Sequence, residues 1–343
     1  MSPLGVVPAQ EDNIQSAAEA LRAGELVGLP TETVYGLAAD ARNPVAVRRI
    51  FAAKGRPADH PLIVHLPALD QLSQWAADVP VEAVALGRAF WPGPLTLILK
   101  RQPLVPDEVT GGQDTVGVRV PAHPAALALL AAFGSGLAAP SANRFGRISP
   151  TTAAHVAEEL GDAVAMVIDG GACEVGIEST ILDLSRLDTC GPVILRPGAI
   201  SADAIAAVIG QRPLGRAESE GAGGAQAPRV AGALAAHYAP RTPMRLVEPA
   251  ALADEAGRQL AAGVRTGVLV RAGASFPRGV TVRMAPTDVE GYAHALYANL
   301  RDLDAAALDL ILVEAVPLET AWDAVRDRLG RAAVGAGLEQ DET

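Results

Sequence analysis

Apolar patterning breaks off between about Gly210 and Arg229 and resumes beyond Pro243, so the 343-residue chain reads as two α/β alternations joined by a segment unable to build a core. Residues 215–227 are mostly Gly, Ala, Glu and Ser, the composition of a flexible linker. Before the break, Ile14, Ala17, Ala18 and Leu21 mark one face of an opening helix, and Val47, Ile50 and Phe51 mark a second helix running into Lys54. Strands are predicted at 26–29, 62–66, 95–99, 116–120, 137–139, 166–168, 181–184 and 193–195. Strands outnumber helices, which predicts a mixed sheet over a regular doubly wound one. After the break, strands at 244–247, 267–270, 280–284 and 310–313 alternate with helices near 250–261, 289–300 and after 321, the pattern of a small Rossmann-like unit. The expected division is a catalytic α/β domain over 1–209, a linker over 210–242 and a Rossmann-like domain over 243–343.

Half of the residues are apolar and 20% are charged, ample for buried cores and contrary to disorder. Aromatics are only 3%, so the cores rest on Ala, Val, Leu and Ile. The sequence offers no apolar run of the ~18 residues a membrane span requires and no basic, apolar start of a secretory signal. Two cysteines, Cys173 and Cys190, supply neither a disulfide framework nor a cysteine zinc site. A cytoplasmic location is expected, with no membrane partner. A net charge of −11, acidic in both halves, speaks against a protein that coats nucleic acid. Any anion site must therefore be local, built from placed cations. Of the 28 cationic residues only Lys54 and Lys100 are lysines, which draws attention to a compact ammonium that arginine's planar fork does not copy.

Residues able to do chemistry gather at the ends of the predicted strands, where α/β proteins hold ligands. Pro30-Thr-Glu-Thr-Val-Tyr-Gly36 offers the hydroxyls of Thr31 and Thr33; it also reads as a plain strand-to-helix turn with Thr31 as N-cap. Lys54-Gly-Arg-Pro57 places two cations at one edge, suited to phosphate chemistry or simply to a helix C-terminus. His60 and His65 follow. Arg119, set among valines in Thr115-Val-Gly-Val-Arg-Val-Pro121, is costly to bury alone and must bind a carboxylate, either a substrate's or a buried Asp or Glu. Ala139-Pro-Ser-Ala-Asn143 with Arg144, Arg147 and Ser149 suits a phosphate or ribose site, or a polar surface loop. Gly176-Ile-Glu-Ser-Thr180 and Arg196-Pro-Gly198 read equally as turns or ligand contacts. The chain contains neither a Walker A loop nor a Gly-x-Ser-x-Gly elbow.

In order and spacing these segments together resemble the YrdC-like family, and more closely the two-domain threonylcarbamoyl-AMP synthases. The resemblance rests on residues 30–37, 54–57, 61–65, 92–95, 118–121, 139–143, 179–180 and 196–198, with His237-Tyr-Ala-Pro240 beyond the linker. It implies a twisted mixed-sheet domain with a deep cationic cavity, and a reaction in which L-threonine, bicarbonate and ATP give threonylcarbamoyl-AMP and pyrophosphate for a tRNA modification beside the anticodon. By position, Thr33, His65, Arg119, Ala139 and Ser179 would hold L-threonine. Arg56, His60, Thr115, Ser141, Asn143, Ser149, Arg196 and Tyr238 would hold ATP. Lys54 and Arg56 would serve the phosphates, with Mg2+ arriving on them, and the linker with Tyr238 would form a lid. The sequence departs from the family pattern in three places: His60 replaces a usual asparagine, Ala139 a frequent hydroxyl residue, and Ala227-Pro-Arg-Val230 a common Ser-Pro-Gly-Met. The resemblance also implies a downstream threonylcarbamoyl-transferase partner, without stable binding of RNA by this chain itself. An RNA-binding or nucleotide-sensing protein of the same fold, without turnover, is the alternative; pyrophosphate release that needs both threonine and bicarbonate separates the two.

Overall fold

A computed structural model of the chain describes residues 5–221, 227–271, 273 and 275–337. Two units are distinguished: Met1–Arg144, Pro150–Glu174 and Glu178–Ala233 make the first, and Phe145–Ser149, Val175–Ile177 and Leu234–Thr343 the second.

The strands of the first unit are β1 (Val6–Pro8), β2 (Val27–Leu29), β3 (Gly36–Asp40), β4 (Ile63–His65), β5 (Leu95–Lys100), β6 (Thr115–Arg119), β7 (Leu137–Ala138), β8 (Met166–Asp169), β9 (Thr180–Asp183), β10 (Val193–Arg196) and β11 (Leu214–Gly215). They form one sheet in the order β1-β8-β2-β3-β7-β4-β6-β5-β9-β10-β11. Pairing is mixed, as strand-rich patterning predicts: β4 runs parallel to β6 and β5 to β9, while β5–β6 and β9–β10 are antiparallel. The central strands are buried along almost their whole length, which explains their continuous apolar runs. Helix Pro44–Lys54 shows how local sequence aims a functional residue. Asn43 Oδ1 accepts from Val45 N and Ala46 N, Pro44 occupies the first turn, and Gly55 ends the helix in the left-handed region (φ 62°). Val47, Ile50 and Phe51 face the core, and the same stripe carries Lys54 inward.

Two expectations are corrected. Residues 30–36 do not lead into a helix. Thr31 Oγ1 accepts from Thr33 N (3.2 Å) and Val34 N (3.3 Å) and donates to Val34 O (2.6 Å), closing a tight turn from which β3 returns antiparallel to β2. The Leu and Ala of β3 suit a helix by propensity, but burial on a crowded sheet overrides that weak preference. Nor is the segment after Gly210 free of structure. Leu214 pairs with Val193 at the sheet edge, a short helix follows at Arg216–Gly221, and Val230 is buried against Ile98, Ile181, Val193 and Leu195. Two apolar anchors flanking a Gly- and Ala-rich stretch suffice when an open strand edge lies beside them; residues 222–226 lie outside the described residues.

In the second unit, β12 (Met244–Val247), β13 (Thr266–Val270), β14 (Thr281–Met284) and β15 (Leu310–Glu314) form an all-parallel sheet in the order β12-β15-β13-β14. Helices Pro249–Ala261, Val289–Asp304 and Asp323–Gly337 alternate with them. The two short segments from earlier in the chain belong here: Ala239 N donates to Gly146 O (2.8 Å), and Gly176 lies so close to His294 that a Cβ would sit 2.5 Å from its Cα. No helix among the described residues is long and apolar enough to cross a membrane.

Candidate active site

Register places His65 and Arg119 side by side at the ends of the parallel strands β4 and β6. Arg119, 4% exposed, is held by three donations: Nε to Gly93 O (3.1 Å), Nη1 to Thr33 Oγ1 (2.9 Å) and Nη2 to Glu32 Oε1. The buried arginine thus has the buried acid its position demands. A guanidinium carries five N–H groups, so one remains on each terminal nitrogen. Thr31 already gives its single hydroxyl hydrogen to Val34 O, so in the 2.9 Å contact between the two hydroxyls Thr33 donates to Thr31. Thr33 Oγ1 thereby accepts from Arg119 and offers a ligand only acceptor capacity. His65 is 4% exposed, and its Nδ1 has no partner among the described residues. Burial, with the adjacent Arg119 charge, pushes its pKa down to about 3, so the imidazole is neutral and can accept a hydrogen bond.

One strand further, Leu97 pairs with Val118, one residue short of Thr96 and Arg119. Thr96 Oγ1 lies 2.7 Å from Ser179 Oγ, which also accepts from Arg196 Nη2 (3.1 Å) while Arg196 Nε donates to Ser179 O (3.1 Å). Gly198 makes this arrangement possible: a Cβ there would stand 2.3 Å from Thr180 N. The structure therefore gathers Thr33, His65, Arg119, Ser179 and Arg196 on neighbouring strands and their connections.

Lys54 Nζ donates to Ser141 O and Asn143 O, both at 2.5 Å, leaving one N–H of a protonated amine. Burial and the charge of Arg56 hold its pKa well below the ordinary lysine value, partly offset by Glu159 and Glu178. Arg56 Nη2 donates to Pro61 O (2.9 Å), and Ala139 N to Ile63 O (3.0 Å). His60 is partly exposed, its pKa lowered by burial and by Arg56. Thr115 begins β6 and lines a hollow with Ile63, Gly117, Ile98 and the strap Arg229–Ala231. Arg229 Nη2 donates to Gly111 O (2.8 Å) and Arg229 N to Gln113 Oε1 (2.7 Å), and Arg196 Nη1 holds Ala231 O (3.0 Å). Ser149 and Tyr238 fall in the second unit. There Tyr238, with φ 62°, packs against His237 (4.1 Å between centroids) and the Arg328 guanidinium (5.3 Å).

Sequence reasoning missed Glu32 and Thr96; the strap lies in the linker that was expected to form a lid. Arg119 announced that an acid was needed, but nothing in the order of residues selected Glu32 from 39 candidates.

A family model described as telomere recombination matches residues 19–198, and one described as threonylcarbamoyl-AMP synthase, C-terminal domain, matches residues 200–334. The threonylcarbamoyl-AMP synthase of Pyrococcus abyssi is 41% identical over 331 residues, 94% of this chain and 95% of that protein. The Bacillus subtilis enzyme of the same name is 40% identical over 331 residues, 95% of this chain and 94% of its own. A crystal structure of P. abyssi Sua5 complexed with L-threonine superposes with a TM-score of 0.87 at 38% identity, covering 97% of this chain and 98% of that one. With this fold, these strand ends and this extent of likeness, the chain belongs to the threonylcarbamoyl-AMP synthase family.

Proposed function

We propose that the chain condenses L-threonine, bicarbonate and ATP into threonylcarbamoyl-AMP and pyrophosphate. The observation that carries this reading is the pair of uncommitted N–H groups on Arg119, one per terminal nitrogen, beside an accepting Thr33 and a neutral His65. Two such donors on one guanidinium fit an amino-acid carboxylate, and P. abyssi Sua5 has been crystallised with L-threonine.

The chemistry balances as two steps. The threonine amine adds to bicarbonate carbon with loss of water, giving a carbamate. A carbamate oxygen then attacks the α-phosphorus of ATP; that P–O bond forms as the bond to the β-phosphate bridge breaks, and pyrophosphate leaves. Carbamates are weak, unstable nucleophiles, so the protein's task is placement, worth roughly 7–11 kcal/mol where alignment is good. Thr33, Arg119 and Ser179 would hold threonine, with His65 accepting from its hydroxyl or amine and Ala139 shaping the wall. Arg56, His60, Thr115, Ser141, Asn143, Ser149, Arg196 and Tyr238 would serve ATP, and Lys54 would fix the loop carrying Ser141 and Asn143 next to the phosphates. Among the described residues no three of His, Cys, Asp or Glu cluster as a metal cage. Mg2+ would arrive with ATP and supply charge neutralisation at the phosphates. The adenylate would pass to a transferase that acylates tRNA.

The deciding assay measures pyrophosphate release and, by mass spectrometry, the adenylate. Both are expected only when threonine, bicarbonate and ATP are all present. Pyrophosphate release indifferent to threonine, or its absence with all three substrates, would overturn the reading in favour of a nucleotide hydrolase or a sensor.

A further inference from the structure

Glu32 lies outside every set of ligand-holding residues drawn above, yet it is among the most constrained acids in the chain. It is 4% exposed, and each carboxylate oxygen has a fixed donor: Oε1 receives Arg119 Nη2, and Oε2 receives Ala122 N at 3.0 Å. A carboxylate pinned at both ends cannot swing, so neither can the guanidinium bonded to it. Gly93 O and Thr33 Oγ1 fix the Nε edge and the other terminal nitrogen. We propose that Glu32 is the positioning residue for Arg119, holding the guanidinium in the orientation that presents one N–H from each terminal nitrogen to the carboxylate of an amino-acid substrate. This deepens the functional reading above and rests on it.

The alternative is that the acid merely neutralises a buried cation, and the two roles have opposite signs. A negative charge beside Arg119 repels an incoming carboxylate. If neutralisation were its whole contribution, removing the charge would tighten threonine binding. If Glu32 aims the guanidinium, removing it loosens binding, because hydrogen bonds to a carboxylate depend steeply on angle. Glutamine makes the distinction cleanly. It can still accept from Arg119 through its amide oxygen, but it then turns an NH2 toward the N–H of Ala122 and loses the second pin.

The experiment uses the full chain and the Glu32→Gln variant. Isothermal titration with L-threonine and with L-threoninamide, which lacks the carboxylate, is combined with pyrophosphate-release kinetics. For Glu32→Gln the KM for threonine is expected to rise about 10- to 100-fold. The kcat and the KM for ATP should stay within about threefold, the pattern of lost uniform binding. The preference for threonine over threoninamide should shrink by a similar factor, and Glu32→Asp should recover part of it. Threonine affinity that is unchanged or tighter in folded Glu32→Gln overturns the proposal, as does an equal rise in both KM values. Should Glu32→Gln fail to fold, Glu32→Asp carries the same comparison, its shorter arm displacing the guanidinium; an undiminished threonine preference there overturns the proposal too. Wild-type protein that binds no threonine removes the functional reading together with this inference. Wild-type binding with unmoved variants removes the inference alone.

Discussion

His65 gives the site its clearest pH signature. A histidine whose pKa falls to about 3 on folding binds a proton in the unfolded chain, near pH 6.5, long before it does so in the folded one. Between those two values the unfolded state holds more protons, so stability falls as the pH drops and is intact above about 6.5. One such group contributes at most about 1.4 kcal/mol per pH unit. The His65→Gln variant should therefore lose less stability than wild type on going from pH 6 to pH 4, as read from urea midpoints at each pH. Parallel slopes would show that the imidazole is not held neutral. The strand position of His65 was legible in the sequence, since its apolar neighbours read as β4. Its electrostatic state was not, because that depends on Arg119, a partner in register but more than fifty residues away.

Single strands and turns fix the remaining geometry. The Arg196-Pro-Gly198 motif read equally well as an ordinary turn or as a ligand contact, and its packing was invisible in the sequence: Gly198 is pressed against the Ser179–Thr180 peptide. Gly198→Ala should cost about 1–3 kcal/mol, the usual penalty of overpacking, and should weaken threonine binding as Ser179 shifts. Gly330→Ala, in helix Asp323–Gly337 with nothing within 4 Å of the new methyl, should be neutral or stabilising by about 0.5–1 kcal/mol. Thermal melts of the two variants side by side check both. Most strands were legible because buried apolar runs are hard to mistake. β1, β3 and β11 were not: β1 is three residues long and held by β8, β3 is written in helix-favouring Leu and Ala, and β11 is only two residues long, held by an edge outside its own segment.

At the scale of the whole molecule the acidic charge, the paucity of lysine and the two α/β alternations were all plain in the sequence. The position of the division was not. Structure extends past residue 209 because β11 completes a sheet edge and Val230 seals an apolar face formed by Ile98, Ile181, Val193 and Leu195. A chain ending at Ile209 should accordingly expose that face. Its melting point should fall and its dye-binding hydrophobic surface should rise relative to full length, together with slower adenylate synthesis. Unaltered melting and turnover would show that the strap contributes neither packing nor cover.

The assignment of Phe145–Ser149 and Val175–Ile177 to the second unit has a practical corollary for anyone dissecting this enzyme. The polypeptide changes allegiance at Arg144, Ser149, Glu174, Ile177 and Ala233, like a thread stitched twice through a neighbouring cloth before it crosses for good. No single pair of scissors separates the halves cleanly. A gene fragment for the tail alone would lack two stitches that Ala239 and His294 are shaped to receive, and a swap of tails between relatives would have to carry those eight residues along with it.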